Sequence, residues 1–219
     1  MGKKVAVVHT SLVSINELKA LFAEILPDVT MYNIIDESLL AEVKANGGVT
    51  PGIQKRMNAY YVCADSLGVD LILNQCSSVG EAADIAAKQI TTPVLKIDKP
   101  MAEEAVRLGK KIAVVATVAS TVAPSVRNVE NTAKEMGKEV EVVPYLVDGA
   151  LTVLMEAGGQ EKHNAMVMGA VEKAAQECDV VVLAQGSMTV LIPLLGDIKV
   201  PVLTSPRMAI ERIKKELGL

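Results

Sequence analysis

The run VDLILNQCSSVGEAADIAAK carries an apolar stretch to a thiol, Cys76, followed at once by two hydroxyls, Ser77 and Ser78, and by a pattern of helical period. A cysteine where a buried strand hands over to a helix faces the first amides of that helix. Such an environment favours the thiolate, the form that acts as base or nucleophile. A comparable run, CDVVVLAQGSMTVL, ends in Gln185, Gly186 and Ser187 with no thiol. Polar groups close two further apolar runs: His9, Thr10 and Ser11 after KVAVVH, and Thr117, Ser120 and Thr121 after KIAVVA. Hydroxyls and backbone amides gathered at strand ends suit a carboxylate ligand.

These residues must be positioned by the elements they terminate. Short runs rich in β-branched residues, KVAVVH, VTMYNI, VDLILN, PVLKI, KIAVVA, VEVVPY, DVVVLA and PVLTS, alternate with longer segments of helical period. That alternation predicts an α/β fold with parallel sheets covered on both faces by helices. Ser14 with Glu17 has the spacing of a capping box, and Thr50 before Pro51 predicts a helix start. In open parallel sheets ligands bind beyond the carboxyl ends of the strands, where all the polar clusters above fall.

The chain also repeats itself. GKKVAVVHTS from Gly2 returns as GKKIAVVATV from Gly109, 107 residues later, and NQCSSV returns as AQGSMT, placing Gly186 against Cys76 at a separation of 110. TPVLKID and VPVLTSP make a third match in order, 108 residues apart. Three collinear matches predict two pseudo-symmetric lobes, each a four-stranded parallel sheet flanked by helices. The first lobe is expected over residues 1–98, with 207–219 packing back on it, and the second over 99–206.

Composition excludes several classes of function. Of 219 residues half are apolar, with a net charge of −4, one Phe and no Trp. Without a basic patch or aromatic stacking platforms, nucleic acid is not an expected partner, and no charge run suggests a membrane surface. The apolar stretch after Lys4 is too short for a leader or a span, so a cytoplasmic location is expected. Three cysteines, Cys63, Cys76 and Cys178, and two distant histidines, His9 and His163, suggest neither a disulfide framework nor a metal site. Neither HTSLVS nor ATVAST contains the G-x-G-x-x-G loop of a dinucleotide site.

With these residues in place, the chain resembles the aspartate/glutamate (Asp/Glu/hydantoin) racemase superfamily over essentially its whole length. The resemblance rests on NQCSSVGE around Cys76, on AVVATVASTVAPS with Thr117, Thr121 and Ser125, on PVLKIDKPMAEEAV, and on LAQGSM. It implies a two-lobed, cofactor-independent enzyme with its active-site cleft between the lobes, acting at the α-carbon of a small carboxylate or amino acid. A homodimer is an implied possibility of assembly. In racemases of the family one cysteine from each lobe flanks the α-carbon. Cys76 stands at the first position, whereas the second is matched by Gly186 and Ser187, or by Gln185 and Gly186 if the alignment slips by one.

Stereoinversion needs an acid and a base on opposite faces. Ser187 is therefore the candidate second proton carrier, with His9, Asp98, Gln185 or a water in reserve, and Cys76 the candidate base or nucleophile. Thr117 and Thr121 are implied to hold the substrate carboxylate, with Thr10, Ser11, Ser77 and Ser78 as further binding candidates. Racemisation or isomerisation is expected ahead of decarboxylation, and the alternative is a carboxylate-binding homologue without chemistry. Several residues read as structural: Cys63 as core packing in its helix, Asp98 as an N-cap, Arg56 as a solvated charge, His163 as a structural histidine and the ten methionines as packing.

Overall fold

The eight apolar runs pair into two parallel sheets, as a computed structural model covering residues 2–219 describes them. The chain divides into two units, Met1–Ile97 with Pro206–Leu219, and Asp98–Ser205. Unit 1 contains β1 (Lys4–His9), α1 (Ile15–Ile25), β2 (Thr30–Ile35), α2 (Glu37–Asn46), α3 (Pro51–Ser66), β3 (Leu71–Asn74), α4 (Gly80–Ala87) and β4 (Val94–Lys96). Unit 2 contains α5 (Lys99–Leu108), β5 (Lys111–Ala116), α6 (Ala119–Glu135), β6 (Glu141–Leu146), α7 (Ala150–Met155), α8 (Gln160–Glu177), β7 (Val180–Leu183) and β8 (Val202–Thr204). The last helix, α9 (Ser205–Glu216), runs into unit 1 from Pro206 onward.

Sheet order is β2-β1-β3-β4 in unit 1 and β6-β5-β7-β8 in unit 2, parallel throughout. The α/β architecture read from the sequence is therefore the one observed. Central strands are buried on both faces, while the edge strands β2 and β6 are partly exposed. An edge strand has a neighbour on one side only, and its helices cover it incompletely.

The period of two along each strand separates two cores in unit 1. Ala6, Val8 and Ile72 pack with Leu39, Val43, Ile53, Met57, Tyr61 and the alanines of α4. Val5, Val7, Leu71 and Leu73 pack on the other face with Leu18 and Phe22 of α1 and with Ala209, Ile210 and Ile213 of α9. In unit 2, α8 presents His163, Val167, Val171 and Ala174 to the sheet at the positions that Ile53, Met57, Tyr61 and Ala64 take on α3.

Carboxylates fix the other end of both sheets. Asp70 Oδ2 accepts from the Lys4 amide at 2.8 Å, and Asp179 Oδ2 accepts from the Lys110 and Lys111 amides at 2.9 Å each. A β-carbon added at Gly109 would lie 2.6 Å from Asp179 Cβ, so glycine is what lets the chain pass there.

Capping and exposure depart from the sequence reading in places. Thr50 Oγ1 caps α3 by accepting from the Ile53 amide at 3.2 Å. Ser14 makes no such bond and its backbone is not extended, so the capping box with Glu17 does not form. Asp98 sits at the N-cap position of α5 without a side-chain cap bond. Cys63 is exposed, because the buried stripe of α3 is Ile53, Met57, Tyr61 and Ala64, and a residue two places beyond Tyr61 turns to the opposite side. Arg56 reaches two carboxylates, Asp36 at 3.2 Å and Glu42 at 2.6 Å, in place of the solvated state expected of it. The Arg56 guanidinium and the Thr50 hydroxyl on Glu42 hold that carboxyl below its usual range.

Ile210 is fully buried among α1, β1 and β3 residues, so truncating it removes contacts that the surrounding sheet cannot close over. Ile210→Ala is expected to destabilise unit 1 by about 2–5 kcal/mol in urea unfolding. A loss below about 0.5 kcal/mol would show that α9 is not part of that core.

Candidate active site

The C-terminal ends of β1 and β3 bring one set of polar residues together in unit 1. Asn74, the last residue of β3, is buried, and its Nδ2 donates to the Cys76 carbonyl at 2.9 Å. That bond fixes the turn in which Cys76 sits. Cys76 is half-buried, packs partly against the core of α2, α3 and α4, and has extended backbone. Directly after it, Ser77–Val79 form a single 3₁₀ turn, so α4 starts at Gly80 and not at the thiol. Ser78 is buried and Ser77 half-buried, and no side chain caps the turn.

His9 and Thr10, at the end of β1, are fully buried, and Ser11 is half-buried. His9 Nε2 lies 2.8 Å from Asn33 Oδ1 on β2, while Nδ1 has no partner. With the amide oxygen facing it, Nε2 carries the proton and Nδ1 is a buried lone pair. Burial pushes the His9 pKa below the ordinary histidine value, against the Asn33 bond, which raises it, and with help from Lys19. By strand alternation His9 shares a face with Val5 and Val7, on the α1 and α9 side, whereas Cys76 packs toward the other core. The structure thus places the imidazole and the thiol on opposite faces of one sheet. Asp36 adds a brace behind them: its amide donates to the His9 carbonyl at 3.1 Å, and its carboxylate accepts from Tyr60 at 2.7 Å.

In unit 2 the corresponding strand ends gather Thr117, Thr121 and Gln185. Gln185 Oε1 accepts from the Thr117 amide at 3.1 Å, and Gln185 Nε2 donates to Thr121 Oγ1 at 2.7 Å. Thr121 in turn donates to the Val118 carbonyl at 3.0 Å. Its hydroxyl proton is therefore committed, a departure from the expectation that it donates to a ligand. Thr117 is buried, and its hydroxyl takes no partner among the described residues; Ser120 Oγ is buried and unpartnered. Ser187 lies exposed in the 3₁₀ segment Gly186–Leu194.

Strand pairing decides which residue of unit 2 repeats Cys76. Val8 pairs with Asn74 and Val115 with Leu183; the Gln75 amide bonds Val8 and the Ala184 amide bonds Val115. Counting on from those pairs, Gln185 answers Cys76, and both residues take extended backbone before a 3₁₀ turn. The match of Gly186 to Cys76 drawn from the repeat is therefore one residue out of register.

Three further residues complete the account. Asp98 is buried before α5, with its carbonyl accepting from Asn128 at 3.2 Å. His163 is buried on α8 with Nδ1 3.1 Å from Asn164 Oδ1 and Nε2 without a partner, at the place where α3 carries Ile53. Cys178 is buried at the far end of β7, where burial pushes its thiol pKa up. Among the described residues no three His, Cys, Asp or Glu side chains cluster as a metal site requires, and no helix is long and apolar enough to cross a membrane. Sequence reasoning passed over Asn33 and Asn74; an asparagine closing the fully buried strand LILN was the available signal.

Residues 29–213 match the model of the Asp/Glu/hydantoin racemase family. The chain belongs to that family. Its fold is also that of solved family-like structures. An aspartate racemase from Picrophilus torridus aligns with a TM-score of 0.73 at 16% identity, over 99% of this chain and 95% of that one. An aspartate racemase homologue from Pyrococcus horikoshii aligns at 0.74 and 16%, over 99% and 100%. An allantoin racemase from Klebsiella pneumoniae aligns at 0.68 and 16%, over 99% and 88%. No curated protein sequence matches significantly. At such identities the structural likeness speaks for the racemase-family fold and leaves the reaction to be argued from the site.

Two measurements follow from this geometry. Unfolded histidine titrates near 6.5 and His9 in the fold lower, so below that pH the unfolded chain binds more protons and stability falls as pH falls. Melting temperatures are expected to drop between pH 7 and about 5.5 by more in the wild type than in His9→Gln, above the range in which carboxylates titrate. Equal slopes would show that His9 is not held neutral. Alkylation of the native protein followed by mass spectrometry is expected to modify the exposed Cys63 and the half-buried Cys76 ahead of the buried Cys178; early labelling of Cys178 would contradict its burial.

Proposed function

We propose that the protein is a cofactor-independent enzyme acting at the α-carbon of a small carboxylate or amino acid, with Cys76 as base or nucleophile. The supporting observation is a half-buried free thiol at the carboxyl end of a central parallel strand, its turn pinned by Asn74, in a racemase-family chain. A thiolate there takes the α-proton, and the resulting charge spreads into the adjacent carboxylate. If the same sulfur returns the proton, the configuration is kept. Inversion requires a second donor, and Gln185, which repeats Cys76 in unit 2, is a neutral amide with no acid or base function near neutrality. Ser187, His9, Asp98 or a water is then the donor, which would make racemisation slow.

One-thiol chemistry fits two reactions better. In α-proton exchange the sulfur removes and replaces the proton on one face. In isomerisation of an unsaturated dicarboxylate the sulfur adds to the double bond, the new single bond rotates, and the carbon–sulfur bond breaks again. Both leave the thiolate as it began.

Proton NMR in D₂O tests the proposal with aspartate, glutamate, a 5-substituted hydantoin, maleate and a malonate as substrates. Deuteration, isomerisation or decarboxylation of one of them is expected, reduced about 100-fold or more in Cys76→Ser. Undiminished turnover in the variant would remove Cys76 from the mechanism. Silence across the panel, with a carboxylate that raises the melting temperature, would favour a binding homologue.

A further inference from the structure

We propose that Gln185 is the positioning residue of unit 2, an amide that replaces a second thiol by a clamp and sets the β5–α6 turn to receive a carboxylate. The carboxylate part rests on the function proposed above; the clamp stands on the geometry of unit 2 alone. Both ends of the amide are used, Oε1 on the Thr117 amide at 3.1 Å and Nε2 on Thr121 Oγ1 at 2.7 Å. The residues bridged lie 64 and 68 positions away in sequence, so the bonds tie the end of β7 to the end of β5. No side chain does this for Thr10, the counterpart of Thr117, among the described residues.

The clamp decides which donors are left. The Thr117 amide and the Thr121 hydroxyl are committed, whereas the Thr117 hydroxyl, the Ser120 hydroxyl and the second hydrogen of the Gln185 amide are uncommitted. All three donate, and none is charged. A carboxylate placed against them meets neutral donors on a turn whose backbone is tied to the end of β7 by the clamp. The glutamine at 185 gives and accepts at once, from the two ends of one amide. Glutamate in its ionised form accepts but cannot donate to Thr121, and it sets a negative charge beside the same donors; protonated, it can do both again.

Full-length protein is used throughout. In amide exchange followed by NMR, Thr117 is expected to exchange about threefold to tenfold faster in Gln185→Ala than in wild type. An unchanged rate would overturn the clamp. Calorimetric dissociation constants for maleate, malonate and aspartate are then compared between pH 5 and pH 8. Gln185→Glu is expected to bind about tenfold or more weakly at the upper end and to recover toward wild type as the pH falls toward the glutamate range, while Gln185→Ala stays weak throughout. Equal weakening of Gln185→Glu at every pH would overturn the positioning role, because a merely structural loss does not titrate. Wild-type protein that binds none of the three overturns the carboxylate part, and the exchange experiment then decides the clamp by itself.

Discussion

The pairing register of the two central strands in each unit is the constraint on which the candidate site depends. Val8 against Asn74 and Val115 against Leu183 fix where each strand ends, and with it which side chain emerges at the turn. A slip of one residue in a strand moves every side chain to the other face. Register here is held at both ends. Asp70 and Asp179 bind the first amides of β1 and β5 from below; above, the Gln185 side chain binds across to the end of β5, and the Asn74 side chain closes its own turn.

The duplicated halves agree where they are structural and differ where they could do chemistry. Carboxylate anchors, sheet order and the spacing of the α3 and α8 stripes repeat. At the carboxyl ends of the strands the repeat breaks: His9 answers Ala116, Asn33 answers Pro144, and Cys76 answers Gln185. A buried imidazole with an unpartnered nitrogen costs stability that an alanine in its place would not. At these positions unit 1 carries a histidine, an asparagine and a cysteine where unit 2 carries an alanine, a proline and a glutamine.

Packing explains why such strained choices are tolerated. The sheet of unit 1 is covered on one face by α2, α3 and α4 and on the other by α1 and α9, so β3 and all of β1 beyond Lys4 are buried. Fully burying an isoleucine such as Ile210 or Ile213 contributes roughly 1.5–3 kcal/mol, enough to offset an unsatisfied polar atom at a strand end. The helix that follows β4 packs in unit 2, and the one that follows β8 packs in unit 1 from Pro206 onward, so unit 1 is built from two stretches of chain and unit 2 from one.

The sequence by itself determined the fold class, the eight strands, the duplication and the position of Cys76 at a strand end, because apolar period and turn composition are local properties. It could not determine the register between the halves: a six-residue match tolerates a slip of one, and hydrogen bonds between strands far apart in sequence remove that freedom. For the same reason the repeat set Gly186 against Cys76 and left Gln185 as a reserve candidate. Exposure of Cys63 and pairing of Arg56 were also decided by tertiary structure, since an apolar stripe and a charge on a helix acquire a face only when the helix docks. The separation of His9 from Cys76 onto opposite sides of one sheet belongs to the same class, because the twofold period of a strand is legible in sequence while the neighbour on each face is not.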